Sequence, residues 1–255
     1  MKVLFIGGSG SLALELEKLY NDILIPTNEL DLTNKKSVEK FFDNNDFDCI
    51  IHNSALLNIR ICEEQKNEAI KINVTSTKNL VDMIEIKKPH IQFIHISTPC
   101  IFDGKSGMYV ESSIPYPVNF YGLTRLLGEN IVERLPQYTI IRTNYVSKKR
   151  WPYPKAFTDR FGTYLFPNGV AQGIYDVQKE NVSGIIHVVG DKKISLYELA
   201  KITTPDIEPM TMNDYSGPPL TIDMSLDSER WKKYTISFNM WDYFNLIFAK
   251  LIKWI

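Results

Sequence analysis

The sequence is poor in cysteine. It contains three cysteines in 255 residues (Cys49, Cys62 and Cys100), and their spacing does not match that of a structural zinc site. We therefore expect neither a disulfide framework nor a bound metal, and a reducing cytoplasm is the expected compartment.

The sequence also lacks long apolar runs and a surplus of charge of one sign. No run is long enough to cross a bilayer, and the apolar residues 3–6 meet glycines too early for a signal peptide. The formal net charge is −1 and the pI is about 6.4, which argues against a general attraction to nucleic acids or anionic membranes. Residues 240–255 are expected to form a last helix packed on the domain, with an amphipathic helix at a membrane surface as the alternative.

Short apolar runs alternate with helical patterns along the first 142 residues. The predicted strands are residues 2–6, 22–25, 48–52, 91–96 and 138–141, and the predicted helices are residues 11–20, 34–44, 63–86 and 120–135. This alternation is typical of an α/β fold with a Rossmann-type, doubly wound parallel sheet. Such sheets bind ligands at the carboxyl ends of their strands.

The regular pattern weakens after residue 142. Prolines and aromatic residues indicate irregular structure over a pocket in residues 143–184, followed by a returning strand (185–189) and a helix (196–202). The sequence therefore predicts a nucleotide-binding domain over residues 1–142 and a mixed region with a small substrate-binding part over residues 143–255.

A glycine-rich loop joins the first predicted strand to the first predicted helix. Glycines permit a tight turn and a close approach of the backbone to a pyrophosphate, which the helix N-terminus then faces. Ala13 stands where a third glycine is common, and a small residue suffices there. The candidate contacts with a dinucleotide are Gly7, Ser9, Gly10, Ser11 and Leu12.

The second predicted strand ends without a carboxylate at the position that holds a ribose 2′-hydroxyl, although Glu29 and Asp31 follow closely. No arginine or lysine stands there to hold a 2′-phosphate either. The missing acid favours NADP, and NAD is the alternative. Asp31 and Leu32 are further candidate cofactor contacts.

Four segments that carry these and other polar residues lie just after predicted strands or at a helix start. They are residues 7–13, 52–55, 97–104 and 121–125. Together they resemble the extended short-chain dehydrogenase/reductase superfamily, and within it the dTDP-4-dehydrorhamnose reductase family of sugar-nucleotide reductases. The likeness covers about residues 1–200, and the C-terminal part is shorter than the resemblance leads us to expect.

The resemblance implies NAD(P)H-dependent reduction of a nucleotide-linked 4-keto-6-deoxy sugar, in the synthesis of a surface-polysaccharide precursor. Tyr121 would give its proton to the carbonyl oxygen as the nicotinamide delivers hydride. Thr98 would hydrogen-bond the same oxygen, a role that its neighbour Ser97 could share. Arg125, one helical turn after Tyr121, would supply a cation that lowers the phenol pKa.

The same resemblance assigns the remaining contacts. Asn53, Ser54 and Ala55 would line the nicotinamide side, and Tyr121 and Arg125 would also touch the cofactor. Residues 143–180 would hold the sugar nucleotide, and a homodimer is consistent with the family likeness.

Two positions depart from the family pattern. Lysine is usual where Arg125 stands, and aspartate is usual where Pro99 stands. Arginine keeps the charge but is bulkier and planar, so the departure puts the catalytic rate in question more than cofactor binding.

Two other functions stay open. An accessory or regulatory protein that has lost turnover is favoured by Arg125, Pro99 and the short C-terminal part, and the regulatory subunit of methionine adenosyltransferase resembles the same family. An epimerase would use Cys100 as an acid/base with Lys155 as its partner, whereas packing under the loop is the simpler role for Cys100. His52 and His95 are expected to be core histidines with satisfied hydrogen bonds.

Overall fold

The computed structural model describes residues 1–237. Within them the strands are β1 (Val3–Ile6), β2 (Ile23–Leu24), β3 (Cys49–His52), β4 (Gln92–Ser97), β5 (Tyr138–Arg142), β6 (Lys155–Phe157), β7 (Phe161–Gly162), β8 (Gly184–His187), β9 (Ile194–Ser195), β10 (Glu208–Met210) and β11 (Asp223–Met224). The α-helices are α1 (Ser11–Leu16), α2 (Lys35–Asn44), α3 (Ile59–Glu64), α4 (Lys66–Ile70), α5 (Ser76–Lys87), α6 (Phe120–Val132), α7 (Pro167–Lys179) and α8 (Leu196–Thr203).

The centre of the fold is a six-stranded parallel sheet in the order β2–β1–β3–β4–β5–β8. The chain moves outward from β1 to β2 and then crosses to β3 on the other side of β1. This reversal creates a crevice at the carboxyl ends of β1 and β3, which is where doubly wound sheets bind ligands. The predicted α/β fold with a Rossmann-type sheet is confirmed.

Helices cover both faces of the sheet because its central strands are apolar on both sides. Successive side chains point to opposite faces, so Val3 and Phe5 of β1 join one apolar cluster while Leu4 and Ile6 join another. The first cluster includes side chains of α1 and α7, and the second includes side chains of α2, α5 and α6. Continuous burial of this kind is typical of parallel sheets.

The prediction of irregular structure over residues 143–184 is wrong in part. Residues 143–184 contain α7, a 13-residue helix that begins at Pro167. Proline is well tolerated in the first helical turn because its missing N–H has no intrahelical partner there, so Pro167 starts this helix instead of breaking it. The glycines Gly169 and Gly173 lower its helix propensity and hide its pattern.

The predicted helix over residues 63–86 is divided into shorter pieces. It begins at Ile59, is interrupted at Gln65, and contains a π-helical turn over Lys71–Thr75. Asn73 in that turn donates to the Leu56 carbonyl at 3.1 Å and accepts from the Leu56 N–H at 2.7 Å. This residue therefore fixes the backbone that follows β3.

Beyond β5 the chain builds small sheets beside the main one. β6 pairs with β10, and β7 lies between β9 and β11. The returning strand β8 joins the parallel sheet through β5, while the domain boundary at residue 142 stays a prediction. The predicted helix over residues 240–255 lies outside the described residues, and within residues 1–237 we find no helix long and apolar enough to cross a membrane.

The open edge of β8 is covered by a side chain. Arg230 donates from Nη1 to the Ile185 carbonyl at 2.6 Å and from Nη2 to the Ser183 carbonyl at 3.0 Å. These carbonyls lie at the edge of the sheet, so the guanidinium takes the place that a further strand would otherwise fill.

A buried ion pair fixes α6 against the sheet. Glu129 of α6 and Arg142 at the end of β5 have side chains that are 1% and 3% exposed. Arg142 donates to Glu129 from Nη2 at 2.8 Å and from Nε at 3.2 Å. The Ser97 hydroxyl at the end of β4 donates to the same carboxylate. One carboxylate therefore joins α6 to two neighbouring strands.

We expect Glu129→Gln to lower the free energy of unfolding by about 3–5 kcal/mol, because it leaves the buried Arg142 cation without a counter-charge. Urea denaturation measures this loss. The control is Asp206→Asn, which breaks a surface pair with Arg150 whose side chains are 61% and 51% exposed and should cost less than about 1 kcal/mol. Equal, small losses in both variants would show that the buried pair does not hold α6.

Candidate active site

The glycine-rich loop leaves open space at the carboxyl end of β1. Gly8 has φ of 71°, a left-handed conformation that glycine adopts without strain. Apart from its chain neighbours, a Cβ atom added at Gly8 or Gly10 would meet no atom of the described residues within 4 Å. Gly10 precedes α1, and no side chain caps its first N–H groups. Ser9 is exposed and Ser11 half-buried, so backbone and hydroxyl donors face an unfilled space.

The other predicted cofactor residues differ in what their side chains do. Leu12 and Leu32 are buried in the two apolar clusters, so they offer a ligand mainly their backbone. The Asp31 carboxylate accepts from the N–H of Thr33 at 2.9 Å and from its hydroxyl at 2.8 Å. Asp31 therefore closes its own turn after β2.

Asn53 connects the ends of three strands. Its N–H donates to the Ile6 carbonyl of β1 at 2.7 Å, and its side-chain amide donates to the Tyr145 hydroxyl at 3.2 Å. Ser54 and Ala55 follow, half-buried. Sequence analysis missed Tyr145, whose only signal is its position three residues after the end of β5. Burial raises the pKa of Tyr145, so its hydroxyl keeps its proton at neutral pH.

The start of α6 is pressed against the turn that follows β4. A Cβ atom added at Gly122 would lie 2.2 Å from the Cys100 carbonyl oxygen, so only glycine permits this approach. The Asn119 side chain caps the helix by accepting from the Gly122 N–H at 2.8 Å. This packing brings Tyr121 to Thr98, which is half-buried at the head of the 3₁₀ turn Pro99–Ile101.

The Tyr121 phenol lies beside the Thr98 hydroxyl, at the carboxyl end of β4. Burial raises the pKa of Tyr121 to about 12, while Arg125 and a hydrogen bond with Thr98 act in the opposite direction. The phenol is therefore neutral at pH 7 and holds a proton that it can donate. Ser97 does not share the role of Thr98, because its hydroxyl is directed to Glu129.

Arg125 turns toward β4. It is 3% exposed, and its Nη2 donates to the Ile96 carbonyl and lies 3.5 Å from Nε2 of His95. Its Nε has no hydrogen-bond partner among the described residues. The Arg125 cation acts to lower the pKa of Tyr121, against the larger effect of burial; its catalytic role and its contact with a cofactor stay predictions.

Comparison with known protein families identifies the family of this chain. The family model described as RmlD substrate binding domain matches residues 1–160, more than half of the chain. The chain belongs to this family.

Relatives of this RmlD-family chain include reductases. It is 27% identical over 191 residues to the probable low-salt glycan biosynthesis reductase Agl14 of Haloferax volcanii, covering 67% of this chain and 63% of that protein. It is 26% identical over 227 residues to a dTDP-4-dehydrorhamnose reductase of Aggregatibacter actinomycetemcomitans, covering 78% and 76%. It is also 26% identical to methionine adenosyltransferase 2 subunit beta of Xenopus laevis, covering 73% and 65%.

Solved structures share the fold over nearly the whole chain. A hypothetical dTDP-4-dehydrorhamnose reductase from Sulfolobus tokodaii is 28% identical with a TM-score of 0.82, covering 95% of this chain and 99% of that one. A Bacillus anthracis dTDP-4-dehydrorhamnose reductase in complex with NADP is 20% identical with a TM-score of 0.83, covering 99% and 100%; at that identity it shows the fold alone.

Cys100 and Lys155 occupy different surroundings in the RmlD-family chain. Cys100 is buried in the apolar cluster that contains Tyr121, and its Sγ lies 3.7 Å from Sδ of Met224. Lys155 is half-exposed on β6 and pairs with Glu208 at 3.6 Å. These contacts favour packing as the role of Cys100. Lys155 lies at the surface, where it pairs with Glu208. Among residues 1–237 we find no group of His, Cys, Asp and Glu side chains arranged to hold a metal ion.

His52 and His95 are fully buried, as expected of core histidines, and they form a connected pair whose hydrogen bonds are only partly satisfied within the described residues. They face each other across β3 and β4, with their Nδ1 atoms 3.1 Å apart. Arg125 can only donate, so His95 accepts at Nε2 and carries its proton on Nδ1, which donates to His52. The His52 proton then lies on Nε2, which has no partner within the described residues.

Both rings stay neutral. Burial is the main cause and Arg125 the second, and together they lower the pKa of His52 to about 3 and hold the pKa of His95 well below its usual value. A protonated imidazole beside the buried guanidinium would place two cations in a medium of low dielectric constant.

We expect the free energy of unfolding to fall as the pH drops from 6.5 to 5. The unfolded chain protonates these histidines near pH 6.5 while the folded chain does not, so each costs up to about 1.4 kcal/mol per pH unit. Urea denaturation across this range measures the slope, and His52→Gln should reduce it. His90→Gln changes an exposed histidine and should leave the slope unchanged; a slope that His52→Gln also leaves unchanged would contradict the assignment.

Proposed function

We propose that this chain is an NAD(P)H-dependent reductase of a nucleotide-linked 4-keto-6-deoxy sugar, acting in the synthesis of a surface-polysaccharide precursor. The observation that carries the proposal is the Tyr121–Thr98 pair at the end of β4, on the same sheet edge as the open glycine loop after β1. The relatives include a probable glycan biosynthesis reductase and a dTDP-4-dehydrorhamnose reductase, which supports the substrate class.

The residues at the crevice fit a nicotinamide dinucleotide. The unfilled space at Gly8 and Gly10 accepts a pyrophosphate, which the uncapped N–H groups of α1 would bind. Asn53, Ser54 and Ala55, with Tyr121 and Arg125, would hold the nicotinamide half. The bound cofactor supplies a hydride to the sugar carbonyl carbon.

Tyr121 supplies the proton that balances the hydride. As negative charge develops on the carbonyl oxygen, the neutral phenol transfers its proton to that oxygen, and the Thr98 hydroxyl donates a hydrogen bond to it. The Arg125 cation stabilises the phenolate left on Tyr121, since opposite charges attract strongly in a buried site. Bulk solvent afterwards returns the proton.

The segment proposed to bind the sugar nucleotide is shorter than residues 143–180, which the sequence predicted. Because α7 packs on α1 across the sheet face, sugar-nucleotide contacts are proposed for residues 143–166. Val146, Trp151 and Phe157 from this stretch pack on the apolar cluster that contains Tyr121. They add apolar surface to the cluster on which the substrate would lie.

The finer assignments are proposals of the same kind. The NADP in the Bacillus anthracis structure supports the expectation of NADP, whereas the acidic loop after β2 opposes it. Assembly as a homodimer and a cytoplasmic location stay predictions. An accessory protein is the second candidate, because Arg125 is directed to the Ile96 carbonyl and one relative is a methionine adenosyltransferase subunit.

Cofactor binding is the first test. We expect Gly10→Asp to weaken binding of NADH and NADPH by at least about a hundredfold, because like charges about 4 Å apart repel by several kcal/mol near a protein surface. Quenching of tryptophan fluorescence measures the Kd. The control is Leu14→Asp, which adds the same charge at a 56% exposed position of α1 and should bind normally. Failure of the native chain to bind either cofactor would overturn the reductase proposal.

Turnover is the second test. With a dTDP-linked 4-keto-6-deoxy sugar we expect oxidation of NAD(P)H, and Tyr121→Phe should lower kcat by about 10²–10⁴-fold, a much larger change than in the cofactor Kd. Absorbance at the reduced nicotinamide band measures kcat, and quenching of tryptophan fluorescence measures the cofactor Kd. If the native chain and Arg125→Lys both bind cofactor yet reduce no such sugar, the accessory role is the better account.

A further inference from the structure

The loop after β2 contains a carboxylate held by backbone N–H groups. Oε2 of Glu29 accepts from the N–H of Asn28 at 3.0 Å and from the N–H of Thr27 at 3.2 Å. The Thr27 hydroxyl also donates to it at 3.3 Å. The backbone N–H groups, that of Glu29 itself first, lower the pKa of the Glu29 carboxyl. Successive N–H groups that converge in this way form a cradle for an anion.

This cradle lies on the adenosine side of the crevice. β1 and β2 are parallel neighbours, with Val3 opposite Ile23 and Leu4 opposite Leu24. The glycine loop and the loop after β2 therefore leave the same edge of the sheet. In a doubly wound sheet, the end of the strand after the glycine loop meets the ribose 2′ position of the cofactor.

The loop is fixed in place and negatively charged. The Asn79 amide donates to the Leu32 carbonyl at 2.9 Å, and the Ser37 hydroxyl accepts from the Asp31 N–H at 3.0 Å. Residues 25–33 contain two acidic residues and neither lysine nor arginine. The nearest basic side chains along the chain, those of Lys35 and Lys36, are exposed at the start of α2.

We propose that Glu29 selects NADH over NADPH in the reductase proposed above, on which this inference rests. The Glu29 carboxylate occupies the N–H cradle that a 2′-phosphate would need, so NADPH must displace one anion with another. A free ribose 2′-hydroxyl instead donates a hydrogen bond to the carboxylate. The inference replaces the expectation of NADP, which rested on the lack of an acid at the strand end itself.

The test compares the native chain with Glu29→Gln and Glu29→Ala. Glutamine keeps an oxygen for the backbone N–H groups and removes the charge, whereas alanine empties the cradle. The control is Glu39→Gln, which removes the same charge from an exposed position of α2. Fluorescence titration gives the Kd of NADH and NADPH, and competition gives the Kd of 5′-AMP and adenosine 2′,5′-bisphosphate. Thermal melting confirms that each variant is folded.

We expect the native chain to bind NADH at least about tenfold more tightly than NADPH, because the Glu29 carboxylate repels the 2′-phosphate of NADPH. Both Glu29 variants should reduce this preference by about tenfold or reverse it. The affinity for adenosine 2′,5′-bisphosphate should rise by the same factor relative to the affinity for 5′-AMP. Glu39→Gln should leave both ratios unchanged.

Other outcomes overturn the inference in distinguishable ways. Tight binding of both cofactors with ratios that Glu29→Gln and Glu29→Ala do not change would refute the role of Glu29 and leave the reductase proposal standing. A native preference for NADPH that Lys35→Ala or Lys36→Ala abolishes would assign the 2′ position to those lysines. Failure of every adenine nucleotide to bind would refute this inference and the reductase proposal together.

Discussion

The candidate site depends on the placement of one helix. α6 carries Tyr121, and its far half is fixed by the buried contact between Glu129 and Arg142. A slide of α6 along the sheet would separate two charges in a medium of low dielectric constant, which costs far more than the shift of an apolar contact. At the near end, Gly122 lies against the Cys100 carbonyl and sets the depth of the helix. Together the two contacts leave Tyr121 a single position relative to β4.

Neutral groups surround the buried cation of Arg125. Tyr121, His52 and His95 all hold the uncharged form at neutral pH, and Arg125 is balanced by a backbone carbonyl and an imidazole nitrogen. The cation has no carboxylate among these contacts. In the proposed reaction its field would therefore stabilise the negative charge that develops on the phenol oxygen, and little reorganisation would be needed during proton transfer.

Sequence analysis predicted the sheet well and the contacts between its elements poorly. Buried runs such as residues 48–52 mark parallel strands because both of their faces are apolar. The helix α7 was missed because Pro167 is typical of a break as well as of a first turn. The contact between His52 and His95 depends on the register of β3 and β4, which no local pattern encodes. The cradle at Glu29 is built from backbone N–H groups, which every residue but proline has, so side-chain spacing does not reveal it.

The guanidinium of Arg230 on the edge of β8 has a consequence for the newly made chain. On the ribosome, β8 can pair with β5 as soon as His187 has emerged, but the side chain that covers its outer edge comes much later. During that interval the sheet presents unpaired carbonyls to other chains. This edge is therefore open to pairing with other chains until Arg230 binds these two carbonyls.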